Sequence, residues 1–467
     1  MSGEVEVVEP LQPGRIGMYT CGPTVHDQAH IGNLRTYLEE DLLRRHLEAQ
    51  GLQVTQVMNI TDVDDKIIAK ASAAGSGLQE FTAPFVEAFF RDLERLNIQP
   101  AHFYPRATSY IGPMIELVQV LLDSDHAYRS DGSVYFRISS FPQYGRLSHL
   151  DIAGLRTGAS GRIDSDEYEA KETVRDFALW KAGRRGDLAA WDSPFGWGRP
   201  GWHLECSAMA MDKLGESFDL HCGGVDNKFP HHENEIAQSE AATGKTFVKH
   251  WFHPEHLLIA GGKMAKSQGN FVTLTTLVER GHDPLAVRFL LLTGAHYRHK
   301  LQFKENLLEE AEKDLERLAA FWKRCVQAAA DLPASQGPAD PLTEASSRAA
   351  KLFEQALDDD LNLPDAIGTV FDLLREGNRL LDQGLAGRQG AGAALNTLRQ
   401  VDSRLGVIER RAAVEDVLSA TEARLLEQRA QARRERDYAA SDRIRDELLA
   451  IGIQVEDTKD GTRWHRL

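Results

Sequence analysis

Cysteine is scarce in this chain. Its four residues in 467, Cys21, Cys206, Cys222 and Cys325, are too few and too scattered for the disulfide framework of a secreted scaffold. That leaves core packing, the commoner fate of a free thiol, or metal binding or catalysis. Long apolar runs are missing too: no stretch approaches the roughly 18 to 20 apolar residues of a membrane span. The opening MSGEVEVVEP has neither the basic nor the apolar part of a signal peptide. The expectation is a cytoplasmic protein with no membrane partner. Positive charge is in deficit, with 54 Lys and Arg against 70 Asp and Glu and a formal charge of −16 at pH 7, which excludes indiscriminate binding to a polyanion. It does not exclude a selective one. Residues 421–467 hold ten basic and ten acidic residues, so the whole deficit lies in residues 1–420.

What is present is core material: 42% hydrophobic and 27% charged residues, the balance of a globular protein. At roughly 150 residues per domain the length predicts about three domains. From Arg15 a short apolar strand ending in IGMYTC leads through the turn-rich GPTVHDQAHIGN into a helical pattern, LRTYLEEDLLRRHLEAQ, stopped by Gly51. QVTQVMNIT reads as a second strand, with a helix start at Thr61 and Asp62. Strand, helix, strand, helix predicts an α/β fold: a doubly wound, Rossmann-like parallel sheet whose ligands bind at the carboxyl ends of its strands, where Cys21 to Asn33 would lie.

The texture changes along the chain. Residues 1–125 read as the first half of a catalytic α/β core, 126–198 as a connective insertion and 199–260 as the second half. A lysine-bearing loop with a helical region follows at 261–330, and a helical bundle at 331–412, opened by the linker DLPASQGPADP and interrupted by GLAGRQGAGA. Residues 413–467 form a C-terminal domain, its last 47 residues read as a small charged helix with an extended tail.

The densest polar run is His231, His232, Glu233, Asn234, Glu235, directly after Pro230. On a helix His231 and Glu235 share a face and make a two-ligand arm for a divalent metal. A solvated helix start with acids near its positive end fits the same residues. No HExxH occurs, which disfavours a zincin protease. With Cys206 in GWHLECSAM and Cys21 at the end of the first strand, two thiolates, an imidazole and a carboxylate would form a tetrahedral site suited to zinc rather than magnesium. Phosphate would need unusual means, because TGKTF ends like a P-loop but Ser239 stands where its glycine belongs, and no GxGxxG follows the first strand. The helix start after His30 to Asn33, and Lys263 and Lys266 in GGKMAKSQGN, could hold a triphosphate. An exposed basic loop is the plainer reading of the two lysines.

Taken together, the residues resemble the class I aminoacyl-tRNA synthetases, and within them the cysteinyl-tRNA synthetases. AHIGN resembles the HIGH signature and KMAKS the KMSKS signature. MYTCG, NITDVDDKI, RPGWHLECSAM, FPHHENEIAQS and DDDLNLPDA resemble cysteine-specific segments. RDYAASDRIRDELLAIGI and GTRWHRL resemble the C-terminal anticodon-binding segment. The resemblance implies that L-cysteine and ATP with Mg2+ give cysteinyl-adenylate and pyrophosphate, and that cysteine then passes to the terminal adenosine of tRNA(Cys). It implies one Zn2+ on Cys21, Cys206, His231 and Glu235, binding the substrate's thiolate and so rejecting serine, which pocket fit alone does poorly. It places Trp202 on the floor of the amino-acid pocket with Thr61, His221 and Asp226 near it. His30, Asn33, Lys263 and Lys266 fall at the ATP site, Arg463, Trp464 and Arg466 become candidates for RNA contact, and a monomer is implied.

Three positions depart from the pattern. Asn33 replaces the second histidine of HIGH, Ala265 replaces the serine between the lysines, and Cys222 stands where glycine is usual, read as packing rather than as a ligand. HYRHK at 296–300 and Arg146, Arg156 and Arg162 offer local basic footing for an RNA backbone. Two rivals share these residues: a cysteine ligase acting on an amino sugar, as in mycothiol synthesis, and a tRNA- or zinc-binding relative without catalysis. The segment 421–467 argues against the first, and His30, Lys263 and Lys266 against the second.

Overall fold

The computed structural model describes residues 5–149, 173, 176–259, 262–263, 271–333, 340–413, 420–451, 453–458 and 461–466. At its centre is a four-stranded, all-parallel sheet in the order Gln53–Met58, Arg15–Thr20, Phe218–Cys222, Val248–Phe252. The first strand in the chain lies inside the sheet, with its successors leaving to opposite sides. This makes a switch point at the carboxyl ends of Arg15–Thr20 and Phe218–Cys222, where doubly wound sheets leave a crevice. The helix Ile31–Ala49 follows the first strand. An antiparallel sheet of Ala127–Ser130, Ser133–Phe136, Phe177–Ala182 and Gly198–Pro200 is inserted between the second and third strands of the core.

A small sheet of Leu257–Ile259, Gly262–Lys263 and Leu301–Phe303 leads to the helices Pro284–Thr293, Glu305–Asp331, Pro341–Asp358, Leu363–Asp382 and Arg388–Leu405. One buried cluster runs from Leu34, Leu38 and Leu42 of the first helix through Leu290 and Leu291 to Leu398 and Leu405 of the bundle. Two buried arginines reinforce this joint. Arg35 donates to the carbonyls of Glu255, His256, Ala295 and His296. Arg288 donates to Asp41 at 2.6 Å and to the carbonyls of Leu96, Asn97, Arg404 and Leu405. Behind the sheet, Leu361 enters a cluster with Ile16, Met18, Val54, Leu220 and Cys222. It is brought there by two consecutive left-handed residues, Asp360 at φ 58° and Leu361 at φ 55°, a conformation strained for non-glycine residues.

Several local readings are corrected. The helix placed at Thr61 and Asp62 begins at Asp65, because Asp64 provides the cap by accepting from Ile67 N–H at 2.6 Å. Thr61 stays extended, donating its N–H to Pro23 O, and Asp62 accepts from Thr108 instead. Most of the glycine-rich stretch near 390 is helix. Arg388–Leu405 starts inside it, with the Asp340 carboxylate accepting from Gly387 and Gly390 N–H at 2.8 and 3.0 Å. The C-terminal part holds two helices, Ala420–Arg434 and Tyr438–Ala450, and a hairpin of Ile453–Thr458 with Gly461–Arg466. The P-loop look-alike is a helix end, with Gly244 at φ 69° capping Glu233–Thr243 and Lys245 paired with Glu216. Two of the basic residues offered for RNA are occupied: Arg146 pairs with Glu240 at 2.5 Å and Arg298 with Asp360 at 2.6 Å. Arg156 and Arg162 lie outside the described residues.

Candidate active site

Cys21 is the first residue past the strand Arg15–Thr20, and its N–H donates to Cys222 O at 3.0 Å, tying it to the neighbouring strand end. Cys206 lies on the helix Trp202–Leu214, His231 in the turn Lys228–His232, and Glu235 in the first turn of Glu233–Thr243. All four are buried, and their ligand atoms lie within 4.8 Å of one another. The four donors are thus close enough together for one ion to be held by all of them. Cys222 is buried in the sheet's rear cluster, as a packing residue would be.

Burial dominates the electrostatics of the quartet. Burial pushes the Cys21 thiol well up, and Cys206 beside it adds to the shift; the Cys206 thiol is raised mainly by burial as well. Burial also raises the Glu235 carboxyl, opposed by His221. Glu235 Oε1 is buried with no hydrogen-bond partner, although His231 Nε2 lies 3.1 Å away outside hydrogen-bonding geometry. A divalent ion between these groups reverses each penalty, because it favours the anionic thiols and carboxylate.

The surroundings fix the ligands' orientation. His221 Nε2 lies 2.8 Å from Glu235 Oε2, and the two Nδ1 atoms of His231 and His203 are 2.8 Å apart. The His231 ring is stacked on Trp202, with centroids 4.1 Å apart and planes at 24°. Partners of this kind set the tautomer and tilt of metal-binding side chains. Thr61 is buried and donates to Glu205 Oε2 at 2.9 Å. Asp226 stands on a short turn beyond the third core strand, 3.4 Å from His256 and largely exposed.

Sequence reasoning missed His232. Its Nε2 lies 3.4 Å from Cys21 Sγ and its Nδ1 is 2.8 Å from His253 Nε2. Cys21, His221, His232 and Glu235 form a second set that could hold an ion, sharing two members with the first. The adjacent histidine pair was the available signal. A regular helix turns neighbours about 100° apart, whereas the Lys228–His232 turn is wider and brings both rings inward, their centroids 5.7 Å apart.

His30 caps the first helix. His30 Nδ1 accepts from Asn33 N–H at 3.1 Å, and Asn33 Oδ1 accepts from His30 N–H at 3.2 Å. Asn33's carbonyl oxygen thus stabilises the helix start, and its amide NH2 is the donor it can offer a ligand. Burial lowers the His30 pKa, and the ring meets Phe271 edge-on at 5.5 Å. Ile31 N–H donates to Val272 O at 2.9 Å, which draws the segment after the lysine loop against the helix start. Lys263 lies on the strand Gly262–Lys263, while Lys266 and Ala265 lie outside the described residues. Arg463, Trp464 and Arg466 share the last hairpin strand, remote in sequence from the crevice, and Trp464 packs against Leu425, Leu448, Ile453 and Val455. Among the described residues no helix is long and apolar enough to cross a membrane.

Comparison with known proteins bears on the family and the fold. Residues 7–313 match the family described as "tRNA synthetases class I (C) catalytic domain", 352–409 a DALR domain, and 415–464 the "Cysteinyl-tRNA ligase anticodon binding domain". The "Cysteine--tRNA ligase" of Protochlamydia amoebophila (strain UWE25) is 48% identical over 98% of this chain and 94% of its own length. That of Chlamydia pneumoniae is 49% identical over 96% and 93%. In structure, the methionyl-tRNA synthetase of Mycobacterium tuberculosis in complex with methionyl-adenylate superposes with a TM-score of 0.65 at 17% identity, over 91% of this chain and 96% of that one, a likeness of fold. Full-length identity, catalytic and anticodon-binding matches, and a class I core with a buried thiol cluster at its switch point converge: the chain belongs to the cysteine-tRNA ligase family of class I aminoacyl-tRNA synthetases.

Proposed function

We propose that the crevice at the switch point joins L-cysteine to tRNA(Cys) at the expense of ATP, with zinc held by Cys21, Cys206, His231 and Glu235. The observation that carries the zinc reading is the buried quartet, in which Glu235 Oε1 lies 3.1 Å from His231 Nε2 without a hydrogen bond. When bound, zinc supplies a thiophilic Lewis acid that selects the substrate's thiolate over serine's hydroxyl. In the first step a carboxylate oxygen of cysteine attacks the α-phosphorus of MgATP and the bond to the β-phosphate breaks, releasing pyrophosphate. In the second, a hydroxyl of the terminal adenosine of the tRNA attacks the cysteinyl carbonyl and AMP leaves. No covalent enzyme intermediate is required, so the protein acts by positioning and by stabilising charge.

Each residue has a role in this reading. Trp202 and His203 hold the His231 ring, and His221 holds Glu235. Thr61 and Asp226 border the amino-acid pocket. His30, Asn33, Lys263 and Lys266 face the phosphates and stabilise the charge that develops on pyrophosphate. Arg463, Trp464 and Arg466 contact RNA from the C-terminal domain, through phosphates and stacking. Labour divides between the core halves at 1–125 and 199–260, the insertion at 126–198, the lysine-loop and stem-contact region at 261–330, the bundle at 331–412 and the anticodon-binding domain at 413–467. The protein works as a cytoplasmic monomer.

The deciding experiment is pyrophosphate exchange into ATP with and without cysteine, followed by charging of tRNA(Cys). Exchange that requires cysteine, followed by charging, is the expected outcome. Exchange without charging turns the reading toward an amino-sugar ligase, and no exchange toward a relative without catalysis.

A further inference from the structure

Between His231 and Glu235 the chain carries Glu233 and Asn234, two polar residues whose side chains are taken up by the insertion. Both Glu233 oxygens accept from its backbone. Gly145 N–H donates to Oε1 at 2.8 Å and Ser148 N–H to Oε2 at 2.9 Å, and the Ser148 hydroxyl adds a bond to Oε2 at 2.8 Å. The Tyr144 hydroxyl donates to Asn234 Oδ1 at 2.5 Å. Tyr144, Glu233 and Asn234 are all buried, and among the described residues Glu233 belongs to neither set that could hold an ion at this cluster.

Helix geometry accounts for the division. Successive residues lie about 100° apart around the axis, so Glu233 and Glu235, two apart at the start of Glu233–Thr243, face nearly opposite ways. One carboxylate enters the quartet and the other leaves it for the segment 144–148. In that segment Gly145 has φ 93°, a left-handed conformation that glycine adopts without strain, and its turn brings two N–H groups onto one carboxylate.

The insertion also reaches His231 by a second route. Phe177, on the third strand of the inserted sheet, meets His203 edge-on at 6.0 Å, and His203 Nδ1 lies 2.8 Å from His231 Nδ1. Tyr144 belongs to the same packing, its ring centroid 6.4 Å from that of Phe177 with planes at 24°. The two ligands from the turn and the helix are thus held by one neighbouring body.

We propose that Glu233 and Asn234 are positioning residues. Through them the insertion fixes the turn on which His231 and Glu235 are aimed, and so sets how tightly the ion is held, without touching the ion. This rests on the zinc site proposed above and deepens it by naming what aims two of its four ligands. The same segment supplies a control: Arg146 pairs with Glu240 at 2.5 Å, farther along the helix than Glu235.

The test measures the zinc dissociation constant of the full chain by competition with a chromophoric chelator. The sulfur-to-metal charge-transfer band of the cobalt(II) form and the melting temperature are recorded alongside. Glu233→Gln keeps the shape but sets an NH2 group against the N–H of Gly145 or Ser148. It should raise the zinc dissociation constant about tenfold or more, as loss of a metal ligand's supporting contacts does, and shift the cobalt band. Tyr144→Phe and Ser148→Ala each lose one hydroxyl and should raise it about threefold, the scale of one buried hydrogen bond; they carry the test if Glu233→Gln does not fold. Arg146→Gln cuts a tie of the same segment away from the ligands, and should leave zinc affinity within about twofold and the cobalt band in place. Wild-type zinc affinity in Glu233→Gln, Tyr144→Phe and Ser148→Ala overturns the inference. So does an affinity that falls in step with melting temperature in all four variants, Arg146→Gln included, which is the mark of a role in stability alone. A wild-type chain that binds no zinc overturns the proposed zinc site and this inference with it, whereas the two preceding results leave that site standing.

Discussion

Glu39 lies buried on the first helix beside Arg35, 3.7 Å away, and its Oε1 has no hydrogen-bond partner. Burial raises its pKa to about 8, against the smaller opposing pull of Arg35. Because the folded value exceeds the unfolded one of about 4.3, the native state holds a proton that the unfolded state has lost between these values. Stability is therefore full below the lower value and falls as pH rises toward about 8. Glu39→Gln should raise the urea midpoint at pH 8 and change it little at pH 4; an equal effect at both would show that the carboxyl's charge is not the cause. At the metal cluster, one zinc per chain is expected, lost on Cys206→Ala or His231→Ala by metal analysis. Absence of zinc from carefully prepared wild type would refute the site. His231 and Glu235 were legible because a four-residue spacing shares a helix face. Cys21 and Cys206 sit on different elements, and joining them took donor chemistry and family resemblance. Spacing gave no hint of His221 holding Glu235, since that contact is made by the approach of a strand and a helix.

At the scale of elements, composition misled where a distant side chain supplied the deciding hydrogen bonds. Glycines near 390 signal a loop, yet one buried aspartate, Asp340, accepts from N–H groups at the starts of two helices, Leu342 in one and Gly387 and Gly390 in the other. A Cβ on Gly390 would sit 2.1 Å from Asp340 Oδ1, so the glycine makes the contact possible. Asp340→Ala should cost about 1 to 3 kcal/mol in equilibrium unfolding, the range for a lost cap and buried donors left unsatisfied. Gly390→Ala should destabilise through the same contact, and neutrality of both would remove Asp340 from the account. The first two parallel strands were readable because their apolar runs are short and bounded by turns, whereas Phe218–Cys222 and Val248–Phe252 were not located. The helix after the second strand was placed three residues early because Thr61 and Asp62 are good cap residues already engaged elsewhere.

For the whole molecule, two of the arginines offered as footing for RNA, Arg146 and Arg298, are held by acidic partners. The C-terminal unit has its own small core of Leu425, Leu448, Ile453 and Val455. Removing residues 413–467 should leave cysteine-dependent exchange within about twofold while raising KM for tRNA about tenfold or more; equal charging by the shortened chain would exclude a role for Arg463, Trp464 and Arg466. The dependence between successive stretches was not legible, because it runs through Arg288 and Leu361, whose partners lie far away in sequence.

Leu361 has a consequence in time. Protein synthesis runs from the N-terminus, so the strands holding Ile16, Met18 and Val54 leave the ribosome long before the residue that covers their rear face. Until the left-handed pair at Asp360 and Leu361 has formed, the cluster these strands share with Leu43 and Leu47 of the first helix lacks its last apolar member, and the patch left uncovered is an invitation to chaperones or to a second unfinished copy. The catalytic half of this chain is thus completed from its far side, by residues that arrive after the reactive groups are already in line.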